Sequence, residues 1–154
     1  MIVGLHHVAL VVTDLDAGIE FYTEHLGCKL VDRFEWHGDN PVIDSAIGLP
    51  GSAARGAMLQ ISNAFVELWQ YQTPQSRDRR ADPNDRGYSH IALQVQGIAE
   101  EHARLTAAGM SFVGPPVDFG NSSAIYGRDP FGNLIELYEL RDASRPQLRN
   151  LPNT

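Results

Sequence analysis

The chain opens on an apolar segment, Leu5 to Val12, whose β-branched and aliphatic content predicts a strand. Side chains alternate across a strand, so Leu5, His7, Ala9 and Val11 share one face and His6, Val8, Leu10 and Val12 the other. Thr13, followed three residues on by Asp16, has the form of a capping box. Leu15, Ile19, Tyr22 and Leu26 then recur at helical spacing until Gly27 supplies a stop. Lys29–Trp36 reads as a second strand, and Asn40-Pro41 starts a short helix through Ile47. Gly56–Ile61 and Ala64–Tyr71 read as two further strands turning at Ser62-Asn63. The order is β-α-β-β-β, with an insertion from Asp39 to Arg55 that is long enough to cover a pocket.

The second half repeats that order. Tyr88–Val95 is predicted as a strand, Ile98–Ala108 as a helix closed by Gly109, and Ser111–Val113 as a short strand. Ser122–Arg128 and Asn133–Leu140 read as a hairpin around Asp129-Pro130-Phe131-Gly132. Between the halves, Thr73–Arg86 is rich in Pro, Asp, Arg and Gln and reads as a linker. The expected organisation is a first module over 1–72, a linker over 73–87, a second module over 88–140 and a tail over 141–154. That tail, with two prolines and little periodicity, is either loose or packed on a neighbouring subunit.

Polar residues break the pattern at matching places. His7 in HVALVV is answered by His90 in HIALQV, and Glu67 in VELWQ by Glu136 in IELYE. Glu67 shares its strand face with Phe65, Trp69 and Tyr71, and Glu136 with Leu134, Tyr138 and Leu140. A carboxylate among apolar neighbours is costly unless it is paired, hydrogen-bonded or bound to a metal. Taken singly, each of these residues is explained by a core hydrogen bond or a salt bridge; their duplication points to a metal site. Neutral imidazoles and carboxylates suit a divalent Zn, Ni, Co, Fe or Mn ion. Four ligands in an octahedral arrangement leave two open positions, whereas a closed tetrahedral zinc site is the structural alternative. His6 adjoins His7 but falls on the opposite face, while His25, His37 and His102 have no counterparts in the other half. Val11, Phe65, Trp69, Tyr71, Tyr88 and Tyr138 share faces with the candidate ligands and are expected to wall a pocket.

Composition narrows the partners. The 154 residues are 43% hydrophobic, enough for a real core, and the formal charge of −7 disfavours nucleic acid and anionic membrane surfaces. No apolar run approaches membrane-spanning length and no leader segment is evident, so a cytoplasmic protein is expected. A single cysteine, Cys28, rules out an internal disulfide and fits a reducing compartment.

The paired β-α-β-β-β modules, the HVAL and HIAL strands, the FYTEHLG helix end and DPFGNLIEL resemble the vicinal oxygen chelate superfamily over about residues 3 to 140. That group includes glyoxalase I, methylmalonyl-CoA epimerase, extradiol dioxygenases and antibiotic-resistance proteins. The resemblance implies an α+β fold in which two βαβββ modules form a cup-shaped mixed sheet around a metal and ligand pocket. It implies a homodimer or a single chain completing the cup. The set His7, Glu67, His90 and Glu136 is similar to that of bacterial glyoxalase I. Epimerases resemble it but tend to replace the Glu67 counterpart. Extradiol dioxygenases and fosfomycin-resistance enzymes use three ligands, and the bleomycin-binding type usually lacks the set. Glyoxalase I grips glutathione partly through an arginine and an asparagine where this chain has Val11 and Tyr71. A neutral wall does not replace a guanidinium fork.

The expected function is therefore a metal-dependent lyase, isomerase or epimerase acting on a small carbonyl substrate other than glutathione hemithioacetal. Proton transfer would run through a metal-chelated enediolate, with Glu136 or Glu67 as general base. The alternatives are an Fe(II) dioxygenase using His7, His90 and Glu136, and a non-catalytic binder of small molecules.

Overall fold

The computed structural model describes residues 1–38, 40–80 and 82–148. Asp39 of the insertion, Ala81 of the linker and residues 149–154 of the tail lie outside the described residues. The chain divides into two compact units, Met1–Asp78 and a second beginning at Arg79.

The first unit runs β1 (His7–Val11), α1 (Leu15–Glu24), β2 (Lys29–Trp36), α2 (Pro41–Ile47), β3 (Ala53–Ile61) and β4 (Ala64–Thr73). Its four strands are ordered β1-β4-β3-β2, with β1 parallel to β4 and the other neighbours antiparallel. Ala57, Leu59, Val66 and Leu68 lie buried on one face, and the apolar stripe of α1, led by Leu15, Ile19 and Tyr22, is buried as well. A helix on one face of a sheet leaves the other face for something else. In this unit that other face carries His7, Ala9, Val11, Phe65, Glu67, Trp69 and Tyr71, in the register His7–Phe65, Ala9–Glu67 and Val11–Trp69.

The second unit contains β5 (Ile91–Gln94), α3 (Ile98–Ala107), β6 (Ser111–Phe112), β7 (Val117–Asp118), β8 (Ser122–Arg128) and β9 (Leu134–Leu140). Its sheet is ordered β5-β9-β8-β6, with β7 also paired to β8. Once more the first strand is parallel to the last, and the register Ala92–Glu136 repeats Ala9–Glu67. Ile125, Ile135 and Leu137 are buried, as are Ile98 and Leu105 of α3. The βαβββ order expected from the hydrophobic pattern is thus present in both halves, with α2 inserted in the first and the two-residue β7 added in the second, as a mixed α+β fold of two mixed sheets.

Several local expectations are corrected. The α1 cap is Asp14, whose carboxylate accepts from the N–H groups of Asp16 and Ala17. Thr13 is not the cap because its carbonyl is taken by the Gln70 side-chain amide, which ties the β1–α1 turn to β4. Strand β5 starts at Ile91, so Tyr88 and His90 both lie outside it, and Tyr88 is fully exposed. The physical reason is in the partner: β9 begins at Leu134, and residues before His90 have only the Asp129–Gly132 turn opposite them. Strand β3 begins three residues earlier than expected, because Ala53–Arg55 pair with β4 as far as Thr73. The described part of the tail packs on its own unit. Gln147 is buried with its amide donating to the Asp142 carbonyl, and the Leu148 N–H donates to Gln94.

Candidate metal centre

Each unit brings one of the duplicated histidines to one of the duplicated glutamates. In the first, His7 Nε2 lies 3.5 Å from Glu67 Oε2. In the second, His90 Nε2 lies 3.2 Å from Glu136 Oε2. The two carboxylates are similarly sheltered, with side chains 15% and 16% exposed. Strand register explains the coincidence. The glutamate faces an alanine, and the histidine stands two residues before that alanine, His7 on the same face within β1 and His90 one residue ahead of β5, so ring and carboxylate converge beside a methyl group.

The separations bear on the chemistry. A direct charge-assisted N–H···O contact is about 2.7–2.9 Å, shorter than either pair. Two donors about 2.1 Å from one cation stand about 3.0 Å apart at a right angle and about 3.4 Å apart at the tetrahedral angle. At 3.2 and 3.5 Å, each pair therefore fits an edge of a coordination polyhedron better than a closed ion pair. The donor set, imidazole nitrogen and carboxylate oxygen, fits a borderline divalent ion. Among the described residues no group of three or more His, Cys, Asp or Glu is arranged for a metal; the donors stand in pairs.

The far side of each imidazole is also held. His90 Nδ1 lies 2.8 Å from Ser89 Oγ, which leaves Nε2 with its lone pair toward Glu136 if Nδ1 carries the proton. The His90 ring also stands edge-on to Tyr126 at 4.9 Å. His7 Nδ1 lies 2.8 Å from His6 Nδ1, and the His6 ring stacks on Phe65 at 5.0 Å. Strict alternation separates His6 from this group. His6 precedes β1, however: its carbonyl accepts the Phe65 N–H at 3.2 Å, but its ring turns to His7 rather than to the opposite face.

Of the expected pocket residues, Phe65, Trp69 and Tyr71 are half-buried beside Glu67, and Val11 is exposed on the same face. Tyr138 is half-buried on the Glu136 face, and Tyr88 is not part of it. Burial, and next the Glu67 charge, push the Tyr71 hydroxyl pKa above its ordinary value; burial and Glu136 do the same to Tyr126. Both phenols stay protonated donors at neutral pH.

Four neighbours escaped the sequence reading. Phe34 and Trp36 of β2 lean onto Trp69, at 4.8 and 4.9 Å between ring centroids. Tyr126 faces Glu136 across β8–β9. Ser89 was marked only by its place next to His90. A signal existed for Phe34: Gly56 in mid-strand marks a close approach, and a Cβ there would meet Phe34 at 2.3 Å and Trp69 at 2.5 Å.

Cys28 is buried, and burial pushes its thiol up to about 11, which makes it inert rather than nucleophilic. Among the described residues no helix is long and apolar enough to cross a membrane.

Residues 4–137 match the family described as the Glyoxalase/Bleomycin resistance protein/Dioxygenase superfamily. A lactoylglutathione lyase of Salmonella typhimurium is 32% identical over 143 residues, covering 92% of this chain and 96% of that protein. A 2-epi-5-epi-valiolone epimerase of an Actinomyces species is 29% identical over 147 residues, covering 90% of this chain and 80% of that protein. A glyoxalase family protein from Bacillus cereus superposes with a TM-score of 0.80 at 30% identity, over 91% of this chain and 95% of that one. A fosfomycin resistance protein of Listeria monocytogenes, solved with Mn(II) and sulfate, shares the fold at a TM-score of 0.60 and 20% identity, over 90% and 93% of the two chains. With its two βαβββ units and a family match spanning most of its length, the chain belongs to the glyoxalase, bleomycin resistance protein and dioxygenase superfamily.

Proposed function

We propose that His7, Glu67, His90 and Glu136 together hold one divalent metal ion. On this reading the protein is a lyase, isomerase or epimerase that moves a proton at the carbon beside a carbonyl. The observation that carries it is the repeated His–Glu pair, with Ala9–Glu67 matched by Ala92–Glu136 and each pair at a separation that fits two ligands of a cation. Curated relatives named as a lyase and an epimerase support an enzyme over a passive binder.

When bound, the metal would supply Lewis acidity toward two adjacent substrate oxygens. The chain's residues do the rest. Glu67 accepts the Trp69 indole N–H at 2.6 Å and is tethered; Glu136 carries no such tether among the described residues. Glu136 is therefore the carboxylate free to swing and take the proton, while Glu67 serves as the fixed ligand. Ser89 and His6 hold the imidazoles in place. Phe65, Trp69 and Tyr71 exclude water from one side, which strengthens charge interactions at the reacting carbon.

The same wall bears on the substrate. Val11 and Tyr71 offer no cation where a glutathione carboxylate would need one, so we assign a small neutral carbonyl compound such as a hydroxy ketone. The working unit in this proposal is a cytoplasmic homodimer. The resemblance to the family favours the dimer, and the lone buried thiol favours the reducing compartment.

The test is proton exchange. Metal-loaded protein with neutral hydroxy ketones in deuterated water is expected to place deuterium on the carbon next to the carbonyl. Glu136→Gln is expected to abolish exchange with metal retained, and Glu67→Gln to abolish it with metal weakened. Undiminished exchange in both variants would overturn the mechanism.

A further inference from the structure

We infer that Trp69 is a positioning residue: its indole N–H holds the Glu67 carboxylate in place for the metal. The inference rests on the reading of Glu67 as a ligand and adds a residue that the ligand set does not contain.

Trp69 follows Glu67 by two residues on β4, so both side chains leave the same face. Trp69 Nε1 lies 2.6 Å from Glu67 Oε2, at the short end for a donor to a carboxylate. The indole can only donate and the ionised carboxylate can only accept, so the contact has one sense. The accepting oxygen is also the one facing His7 Nε2 at 3.5 Å. One Glu67 oxygen is thus pinned between its co-ligand and a fixed donor.

The donor is held by the rings packed against it. Phe34 stands 4.8 Å from it, Trp36 4.9 Å and Tyr71 6.3 Å between centroids. Gly56 lies directly opposite Trp69 in β3, and only the missing Cβ leaves room for the ring. Trp36 is itself secured: its Nε1–H donates to Ser52 Oγ at 2.9 Å, and Ser52 donates to Asp44 of α2 at 2.7 Å. The insertion therefore reaches Glu67 through Asp44, Ser52, Trp36 and Trp69. A carboxylate held this way has less rotamer freedom to lose when it binds a cation.

The second unit lacks the device. Tyr138 occupies the place two residues after Glu136, and among the described residues no side-chain hydrogen bond reaches Glu136 from it. The two halves repeat their ligands and differ in how the ligands are held.

The experiment is equilibrium binding of Zn2+ to chelator-stripped protein, comparing wild type with Trp69→Phe, which keeps an aromatic ring and removes the N–H. Trp69→Phe is expected to bind Zn2+ at least about 10-fold more weakly, as loss of an outer hydrogen bond to a metal ligand does, while metal-free wild type and variant melt within a few degrees of each other. Tyr138→Phe, the matched change in the other half, is expected to bind within about twofold of wild type. Equal Zn2+ affinity in Trp69→Phe and wild type would overturn the inference and leave the four-ligand reading standing. No Zn2+ binding by wild type would overturn both. Should Trp69→Phe fail to fold, Trp36→Phe leaves Trp69 as the sole tryptophan. Its emission is then expected to change in step with Zn2+ binding; an unchanged emission at saturating Zn2+ would overturn the inference.

Discussion

Glu67 stands directly opposite Ala9 in the parallel β1–β4 ladder, and the space above that methyl group is where the carboxylate meets His7. Ala92 and Glu136 repeat the arrangement in the second unit. The small residue is as much a part of each pair as the histidine and the glutamate, because a longer side chain would stand between ring and carboxylate.

Ala9→Leu and Ala92→Leu are therefore expected to block metal binding without a large loss of stability. Both alanines are exposed within their own units, so neither change overpacks a core. Metal content after dialysis and the thermal midpoint of the stripped protein check the two halves of that statement. A leucine variant that keeps full metal content would remove the alanine from the account.

Gly56→Ala is expected to act in the opposite way, through packing. The added Cβ would meet ring atoms of Phe34 and Trp69 at 2.3 and 2.5 Å, so the rings must shift. Overpacking of this kind costs about 1–3 kcal/mol. Urea denaturation measures it, and a change in near-ultraviolet circular dichroism should report the displaced tryptophan.

Asp16 links α1 to the sheet by accepting from Arg33 at 2.6 Å and Arg55 at 2.7 Å. The Arg33 and Arg55 hydrogen bonds hold its carboxyl below the ordinary value of 3.8. A depressed folded-state value means that the stabilisation is complete above the unfolded value and vanishes as pH falls through the folded one. Asp16→Asn is thus expected to melt lower than wild type at pH 7, with the gap closing below about pH 4 and shrinking in high salt. A gap that persists at pH 2 would assign the effect to something other than the carboxylate charge.

The hydrophobic pattern carried the repeat, and the faces on which the histidines and glutamates fall, because both are properties of single strands. Period-two alternation places His7 with Val11, and Glu67 with Trp69 and Tyr71, before any partner strand is known. What it missed depends on neighbours. The bulge between Leu30 and Asp32 interrupts the register of β2, so alternation from Lys29 does not place Phe34 and Trp36 beside Trp69. Tyr88 follows the strand pattern yet has no ladder to join, and His6, just ahead of β1, is free of the alternation that would have separated it from His7. Asp14 rather than Thr13 caps α1, and the Thr13 carbonyl is taken by Gln70, a residue far along the chain. The indole bond to Glu67 lies within one strand, but two residues on one face signal proximity without signalling a hydrogen bond.

The most direct measurement of the central claim is the metal-to-chain ratio of the wild type beside that of His7→Ala and His90→Ala, by elemental analysis after chelation and reloading with Zn2+. The account expects one ion per chain in the wild type and near-complete loss in each variant, because both pairs serve one ion. Two ions per chain with one lost from each variant, or one ion that survives His90→Ala, would contradict it.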